Sequence, residues 1–311
     1  MTHAWQQSID IDEDQAHKLI ESQHHVAVNT IRLLDAGWDN VVYLVNNTLI
    51  FRFPRRELGV DCIKNEIALL PFLARQVSFP LSAPQYIGKS SPLYPYPFAG
   101  YTMLPGQPLC DVAYGLIHDK TFAITLATWL KELHSIRVTE NYAALIKGDQ
   151  TWRLNLKHRI ARCEENLARY EPYFAEAGFD TPLLLDIIAI LLKLNIIDTR
   201  QAYLHGDLYS RHIIANPATL LPVGLIDWGD LHIGSPGIDL AVSTIFSQEI
   251  YHIFLNAYDP AITYSLIHIS LFHSFCHSMS FLPYAFEQNK ESLKRWASMV
   301  LDRAIHEIQK L

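Results

Sequence analysis

The chain has 311 residues, half of them apolar and 18% charged, with a formal net charge of −7. That length can bury a large core, and that composition excludes a disordered chain. No run of Lys or Arg is present, which argues against a nucleic-acid partner.

The opening Met1-Thr2-His3-Ala4-Trp5 lacks the basic-then-apolar layout of a signal peptide. Asp12 to Ser22 reads as a helix, with Asp10 or Asp12 as its cap. Short β-rich runs follow at Val26–Leu34, Val41–Val45 and Leu49–Phe53, and Asn46-Asn47 signals a tight hairpin. Asp61 to Gln76 has helical periodicity through Ile63, Ile67, Leu70 and Leu73. Prolines punctuate the next part, leaving strands near Tyr86–Gly88 and Ala99–Leu104. Leu104-Pro105-Gly106-Gln107-Pro108 reads as a linker.

Beyond it helices dominate: Lys120–Ser135, Thr151–Tyr170, Pro182–Ile197, Ile238–Ser247, Ala261–Leu282 and Glu291–Gln309. Short strands are expected around His212–Ala215 and Val223–Ile226. Ala261 to Phe286 contains no Asp, Glu, Lys or Arg, but its histidines, serines and Pro283 favour a buried helix over a membrane span. The expected fold is α+β: a small β-rich lobe over residues 1–104 and a larger helical lobe over 105–311. Cys62, Cys110, Cys163 and Cys276 form no CxxC pair and fit reduced thiols in a cytoplasmic protein.

The chemistry concentrates in Leu204-His205-Gly206-Asp207-Leu208-Tyr209-Ser210-Arg211-His212 and Gly224-Leu225-Ile226-Asp227-Trp228-Gly229-Asp230. Phosphoryl transfer needs a carboxylate to orient and deprotonate a hydroxyl, and ligands for a cation on the nucleotide phosphates. Asp207, on a loop, suits the first task. Its plain alternative is a turn Asp bonding its own backbone. Asp227, ending an apolar run, suits the second, and Gly229 is expected to turn the chain sharply beside it. His212 is an unusual ligand for a hard cation, because imidazole suits softer metals better.

Strand alternation sets Arg52 opposite Phe51 and Phe53, where a guanidinium facing a cleft can hold phosphates, with Glu66 as its partner. The loop Asp35-Ala36-Gly37-Trp38-Asp39-Asn40 suits phosphate cover through backbone N–H groups, with Gly37 and Asn40 as its candidate nucleotide-binding residues. No GxxxxGK[ST] is present, so a P-loop enzyme is not indicated. Met103 and Leu104 lie where a hinge can offer backbone groups to a purine. His273 and His277, spaced i, i+4, read as packed or pocket-lining, with no evident third metal ligand. Trp152, Trp228, Tyr209 and the aromatics of Phe272–Phe286 suit either a substrate pocket or the core.

These residues in this order resemble the aminoglycoside phosphotransferase family, which has a protein-kinase-like fold. The likeness runs from about Gly37 to Ala241. It includes Phe51-Arg52-Phe53-Pro54-Arg55, Glu66, Met103-Leu104-Pro105-Gly106, His205-Gly206-Asp207, Ile226-Asp227-Trp228 and Asp239-Leu240-Ala241. The resemblance implies Asp207 as catalytic base, Asp227 as principal magnesium ligand, Arg52 as the phosphate-contacting cation and Glu66 as its helix partner. It sets Met103 and Leu104 on the nucleotide-base-facing hinge.

Two departures stand out. His212 replaces the usual Asn, and Gly234-Ser235-Pro236 replaces Gly-Asp-Pro. The HGDLYxxH and IDW segments are also similar to macrolide phosphotransferases. The expectation is a kinase of small molecules, moving the γ-phosphate of ATP or GTP to a hydroxyl of an antibiotic-like acceptor, with Mg2+ (or Mn2+) held by Asp227 and His212. That is a resistance-type activity in a cytoplasmic monomer or homodimer, without membrane or nucleic-acid partners. A metabolite kinase acting on an amino sugar or aminoalcohol, and a nucleotide-binding pseudokinase, are the alternatives.

Overall fold

A computed structural model describes residues 9–311 apart from 38, 113, 144–147, 150 and 195. The N-terminal pentapeptide, Trp38 of the expected phosphate loop and Asn195 therefore lie outside the described residues.

The first helix, α1 (Glu13–His24), starts where Asp12 caps it. The Asp12 carboxylate accepts from the Gln15 amide at 2.8 Å, and the Gln15 side chain accepts from the Asp12 amide at 3.1 Å. Three antiparallel strands follow: β1 (Ile31–Ala36), β2 (Asn40–Val45) and β3 (Leu49–Pro54). Asn46 and Asn47, at φ of 51° and 57°, make the β2–β3 turn. Positive φ at both central positions matches the twist of the flanking strands. The sequence-based start of β1 at Val26 is too early. Residues 26–30 form no strand, and Asn46 accepts from the amides of Asn29 and Thr30 instead.

Helix α2 (Glu57–Leu73) begins one turn earlier than its periodicity suggests. Strands β4 (Tyr86–Gly88) and β5 (Phe98–Thr102) complete a five-stranded sheet in the order β1-β2-β3-β5-β4. Phe51 and Phe53 on β3 are fully buried in one cluster with Ala16, Leu19 and Ile20 of α1. Phe53 stacks on Phe98 with ring centroids 4.6 Å apart. Period-2 alternation turns Arg52 to the opposite face, toward α2.

The linker ends in a two-residue strand, β6 (Gln107–Pro108). After it come α3 (Lys120–His134), α4 (Glu140–Ala143), α5 (Leu156–Glu176) and α6 (Thr181–Leu191). Four short strands carry the chemistry: β7 (Ala202–Leu204), β8 (Ile213–Ala215), β9 (Pro222–Leu225) and β10 (His232–Gly234). β7 pairs with β10, while β8 joins β6 to β9. The helices α7 (Gly237–Leu240), α8 (Gln248–Tyr258), α9 (Tyr264–Glu287) and α10 (Glu291–Ile308) close the chain.

The helix expected over Ile238–Ser247 is α7 followed by a tighter 3-10 turn over Ala241–Ile245, and α8 was not anticipated. Helix α9 packs against α5, α7 and α10. That enclosure explains why it carries no Asp, Glu, Lys or Arg before its terminal Glu287, because a helix apolar on most sides must be covered on most sides. No helix of the described residues is long and apolar enough to cross a membrane. All four cysteines are free.

Deleting the Phe53 ring removes the centre of the sheet–α1 cluster. Phe53→Ala is expected to lower stability by about 3–5 kcal/mol, read by denaturant unfolding of the purified protein. A loss under about 1 kcal/mol would mean the cluster does not hold the sheet.

Candidate active site

The loop after β7 is shaped by Gly206. Its φ is +84°, and a Cβ there would lie 2.3 Å from the Asp230 carbonyl oxygen. Only glycine meets both constraints. Asp239, fully buried on α7, then pins the loop from below. Its Oδ2 accepts from the His205 amide at 2.7 Å, and its Oδ1 accepts from the Gly206 amide at 2.9 Å. His134 on α3 donates to Oδ2 from Nε2 at 3.1 Å.

His205 ties this loop to the strand carrying the second acid. Its Nε2 donates to the Ile226 carbonyl at 2.9 Å, and its Nδ1 accepts from the Asp207 amide at 3.3 Å. Both bonds suit the neutral ring, and burial with His212 nearby pushes its pKa down. The backbone after Ile226 turns at Asp227, whose φ is +62°. Gly229 therefore does not make the turn. It is small because a Cβ there would sit 3.0 Å from Cys62 Cβ on α2.

Asp207 and Asp227 flank the imidazole of His212. Asp207 Oδ2 is 3.7 Å from Nδ1, and Asp227 Oδ2 is 3.4 Å from Nε2. The His212 Nδ1 donates to the Asp207 carbonyl at 2.7 Å. In the neutral ring this assigns the proton to Nδ1 and leaves the Nε2 lone pair toward the Asp227 carboxylate.

Arg52 completes the cluster. Its two terminal nitrogens donate to Glu66 Oε1 and to Asp227 Oδ1, each at 2.7 Å. The Tyr101 hydroxyl donates to the other oxygen of Glu66 at 2.6 Å. Burial raises the Glu66 carboxyl, an effect Arg52 only partly offsets. Burial also works to raise Asp227, but the adjoining Arg52 charge, with His212 and His205 behind it, holds that carboxyl well below the ordinary range.

The structure thus brings Arg52, Glu66, Asp207, His212 and Asp227 together. Gly37 and Asn40 close the β1–β2 turn on each other, the Gly37 amide donating to the Asn40 carbonyl at 3.0 Å. That amide is accordingly taken. The Met103 amide is also committed, to the Thr48 carbonyl at 2.8 Å. Leu104 lies against Gly224 of β9. His277 on α9 reaches within 3.8 Å of Asp207, and Tyr209 packs against it. Trp228 is buried beneath His205, whereas Trp152 is exposed.

Sequence reasoning did not assign site roles to Asp239, His134, His205 or Arg153. Arg153, almost fully buried, pairs with Asp149 at 2.8 Å and Asp230 at 2.5 Å. Asp239 stood within a matching segment, but nothing local announces a partner on α3, more than a hundred residues earlier.

The sequence model of the phosphotransferase enzyme family matches residues 30–264, well over half the chain. The chain belongs to that family. No curated protein matches it by sequence. The GDP complex of aminoglycoside 2'-phosphotransferase-IIIa superposes with a TM-score of 0.71 at 22% identity, covering 96% of this chain and 99% of that one. The macrolide 2'-phosphotransferase MphH from Brachybacterium faecium gives 0.62 at 19% identity, covering 93% and 98%. Macrolide 2'-phosphotransferase type I gives 0.62 at 18%, covering 94% and 98%. At these identities the likeness is one of fold. This phosphotransferase has the mixed architecture of a small antiparallel sheet and a larger helical part that its relatives share.

Burial works to raise the Asp239 carboxyl, but the His134 hydrogen bond, with the Gly206 amide among the further contributors, holds it below the ordinary range. A carboxyl depressed on folding contributes stability above its unfolded pKa, about 4, and loses that contribution as pH falls through the lower folded value. Asp239→Asn is therefore expected to be less stable at neutral pH and to lose less stability than the wild type on acidification below about pH 4. Thermal unfolding at a series of pH values reads this, and parallel curves would count against the assignment.

Proposed function

We propose that this protein transfers the γ-phosphoryl group of ATP or GTP to a hydroxyl of an antibiotic-like alcohol, a macrolide or an aminoglycoside. The observation that carries this reading is the meeting of Asp207 and Asp227 across one imidazole, with Arg52 on the outer carboxylate. Residues 1–104 are then the nucleotide-binding lobe and residues 105–311 the catalytic and acceptor-binding lobe.

Asp207 is the base in this scheme. It accepts a hydrogen bond from the acceptor hydroxyl and takes its proton as the oxygen bonds to the γ-phosphorus. The bond from that phosphorus to the β–γ bridging oxygen breaks in line, and the nucleoside diphosphate leaves. The His205 and Asp239 bonds hold Asp207 in place, so little reorganisation accompanies the transfer. Arg52 steadies the non-transferred phosphates while Glu66 and Tyr101 fix its direction. Gly37, Asn40, Met103 and Leu104 border the nucleotide.

The residues present fit a divalent cation. Asp227 Oδ2 and His212 Nε2 lie 3.4 Å apart, so both could reach one ion. Among the described residues no three His, Cys, Asp or Glu side chains form a ready-made cage. Asp227 and His212 would supply two ligands, leaving phosphate oxygens and water for the rest, as magnesium prefers and manganese tolerates. The ion would offset charge developing on the phosphates. The nucleotide requirement and the free thiols suit work in the cytoplasm, as a monomer or homodimer, with neither membrane nor nucleic acid as partner.

Asp207→Asn is expected to preserve nucleotide affinity while lowering kcat about 10²–10⁴-fold. Steady-state kinetics with ATP and GTP across macrolides, aminoglycosides and amino sugars checks it, and an unchanged kcat would remove Asp207 as base. His212→Asn is expected to retain activity and to shift metal preference from manganese toward magnesium. Identical metal titrations for the two proteins would return His212 to a purely structural role.

A further inference from the structure

Arg211 is the only Lys or Arg in the loop over residues 205–212. Its Nη2 donates to Asp35 Oδ2 at 2.6 Å, a bond that runs from the loop after β7 to the end of β1. Asp35 stands two residues before Gly37, at the start of the segment that suits phosphate cover. The β1–β2 register slips between Leu33 and Asp35. An irregularity of this kind bends the strand and re-aims the side chains beside it, and here it falls where the carboxylate meets the guanidinium.

The guanidinium is also close to both acids of the site. Arg211 precedes His212, whose ring separates Asp207 from Asp227. Tyr209 packs on that ring with centroids 4.4 Å apart. Burial and the Asp207 charge push the Tyr209 hydroxyl up, Arg211 opposes them, and Asp227 adds to them. Arg211 thus stands within electrostatic range of the two carboxylates while bonded to the strand that feeds the β1–β2 loop. On the phosphotransfer reading, the γ-phosphoryl group passes between those same elements.

Arg52 and Arg211 are tied to their acids in different ways. The Arg52 side chain is 12% exposed and holds Glu66, itself 1% exposed, so letting go would strand a buried carboxylate. The Arg211 side chain is 30% exposed and that of Asp35 48%. An ion pair so open to water is favoured over its separated form by about fivefold at most, and Asp35 can take water when released. A triphosphate carries more charge and matches a guanidinium with paired N–H···O bonds. The Asp35–Arg211 pair is therefore weak as a clasp between two segments and well suited to being exchanged.

We propose that Arg211 is a further catalytic residue, which exchanges the Asp35 carboxylate for oxygens of the γ-phosphate when a nucleoside triphosphate binds. The proposal rests on the phosphotransfer reading and gives that site a second phosphate-binding arginine. The acceptor oxygen bonds to the γ-phosphorus, its proton passes to Asp207, and the nucleoside diphosphate leaves with the electron pair of the broken P–O bond. Arg211 keeps its protons throughout and offsets charge on the γ-phosphoryl oxygens. Asp35 competes with the phosphate for the guanidinium, so the two members of the pair act on triphosphate binding with opposite sign.

The test is calorimetric titration of the full chain with magnesium, using the β,γ-imido analogues of ATP and GTP as triphosphate probes and ADP and GDP as diphosphate probes. Asp35→Asn should tighten the triphosphate analogues about threefold to fivefold, a gain that misfolding cannot produce, and leave diphosphate affinity unchanged. Arg211→Ala should weaken the triphosphate analogues about tenfold or more, again without moving the diphosphates, and Arg211→Lys should recover part of the loss. In phosphate transfer to the macrolides, aminoglycosides and amino sugars, Arg211→Ala should lower kcat about 10–10³-fold. Two substitutions that shift affinity in the same direction, or that shift triphosphate and diphosphate alike, would make the pair a plain clasp and overturn the proposal. Unaltered triphosphate affinity or unaltered kcat in Arg211→Ala would overturn it too. The expected binding pattern with no transfer to any acceptor would uphold the Arg211 contact and overturn the phosphotransfer reading instead, and a wild type that binds no nucleotide would overturn both.

Discussion

A single buried carboxylate, Asp239, holds this candidate active site in shape. It lies on a four-residue helix and accepts from two successive backbone amides, those of His205 and Gly206, while His134 donates from the opposite side. A carboxylate out of water is stable only when its lone pairs are filled, and here the loop amides fill them. The loop therefore cannot drift without stranding a buried charge. From that anchor the chain of contacts runs through His205 to the Ile226 carbonyl, and so to Asp227. Two acids from separate strands are held in one frame by a group that need touch no ligand.

The cleft above that frame is a problem of charge. Glu66, Asp227 and Asp207 gather in a small volume, and Arg52 binds the first two. Such a cluster is a poor source of net stability, because desolvation consumes much of the Coulomb attraction. Its value is orientation. Glu66 and Tyr101 fix the Arg52 guanidinium, which in turn fixes one oxygen of Asp227 and leaves the other facing His212. The strained φ at Asp227 is consistent with that duty, since positive φ outside glycine persists only where surrounding contacts overdetermine it.

Around α9 the pattern is different. Helix α9 is enclosed by its neighbours, yet it turns His273, Ser274, His277 and Ser278 toward one cavity. An enclosed helix with a polar stripe is a conflict between patterning and burial, and such conflicts mark functional surfaces. The fold shared with aminoglycoside and macrolide phosphotransferases does not choose the acceptor, because the same frame hosts many pockets.

Much of this was legible along the chain. Asp12 as a cap, the Asn46-Asn47 turn and the alternation that sets Arg52 against Phe51 and Phe53 are local rules, and local rules survive folding. The order of HGD and IDW segments was equally readable, because each occupies contiguous residues. Other features were decided only in three dimensions. The role of Asp239 depends on His134 from a distant helix, and the shape of Gly229 on Cys62 across the cleft. The commitment of the Met103 and Gly37 amides, the missed strands β7 and β10, and the convergence of His273 and Ser278 on the space beside Asp207 likewise depend on which segments meet. Spacing encodes what a residue does to its neighbours in sequence; long-range packing determines which charges, amides and hydroxyls are left to act on something else.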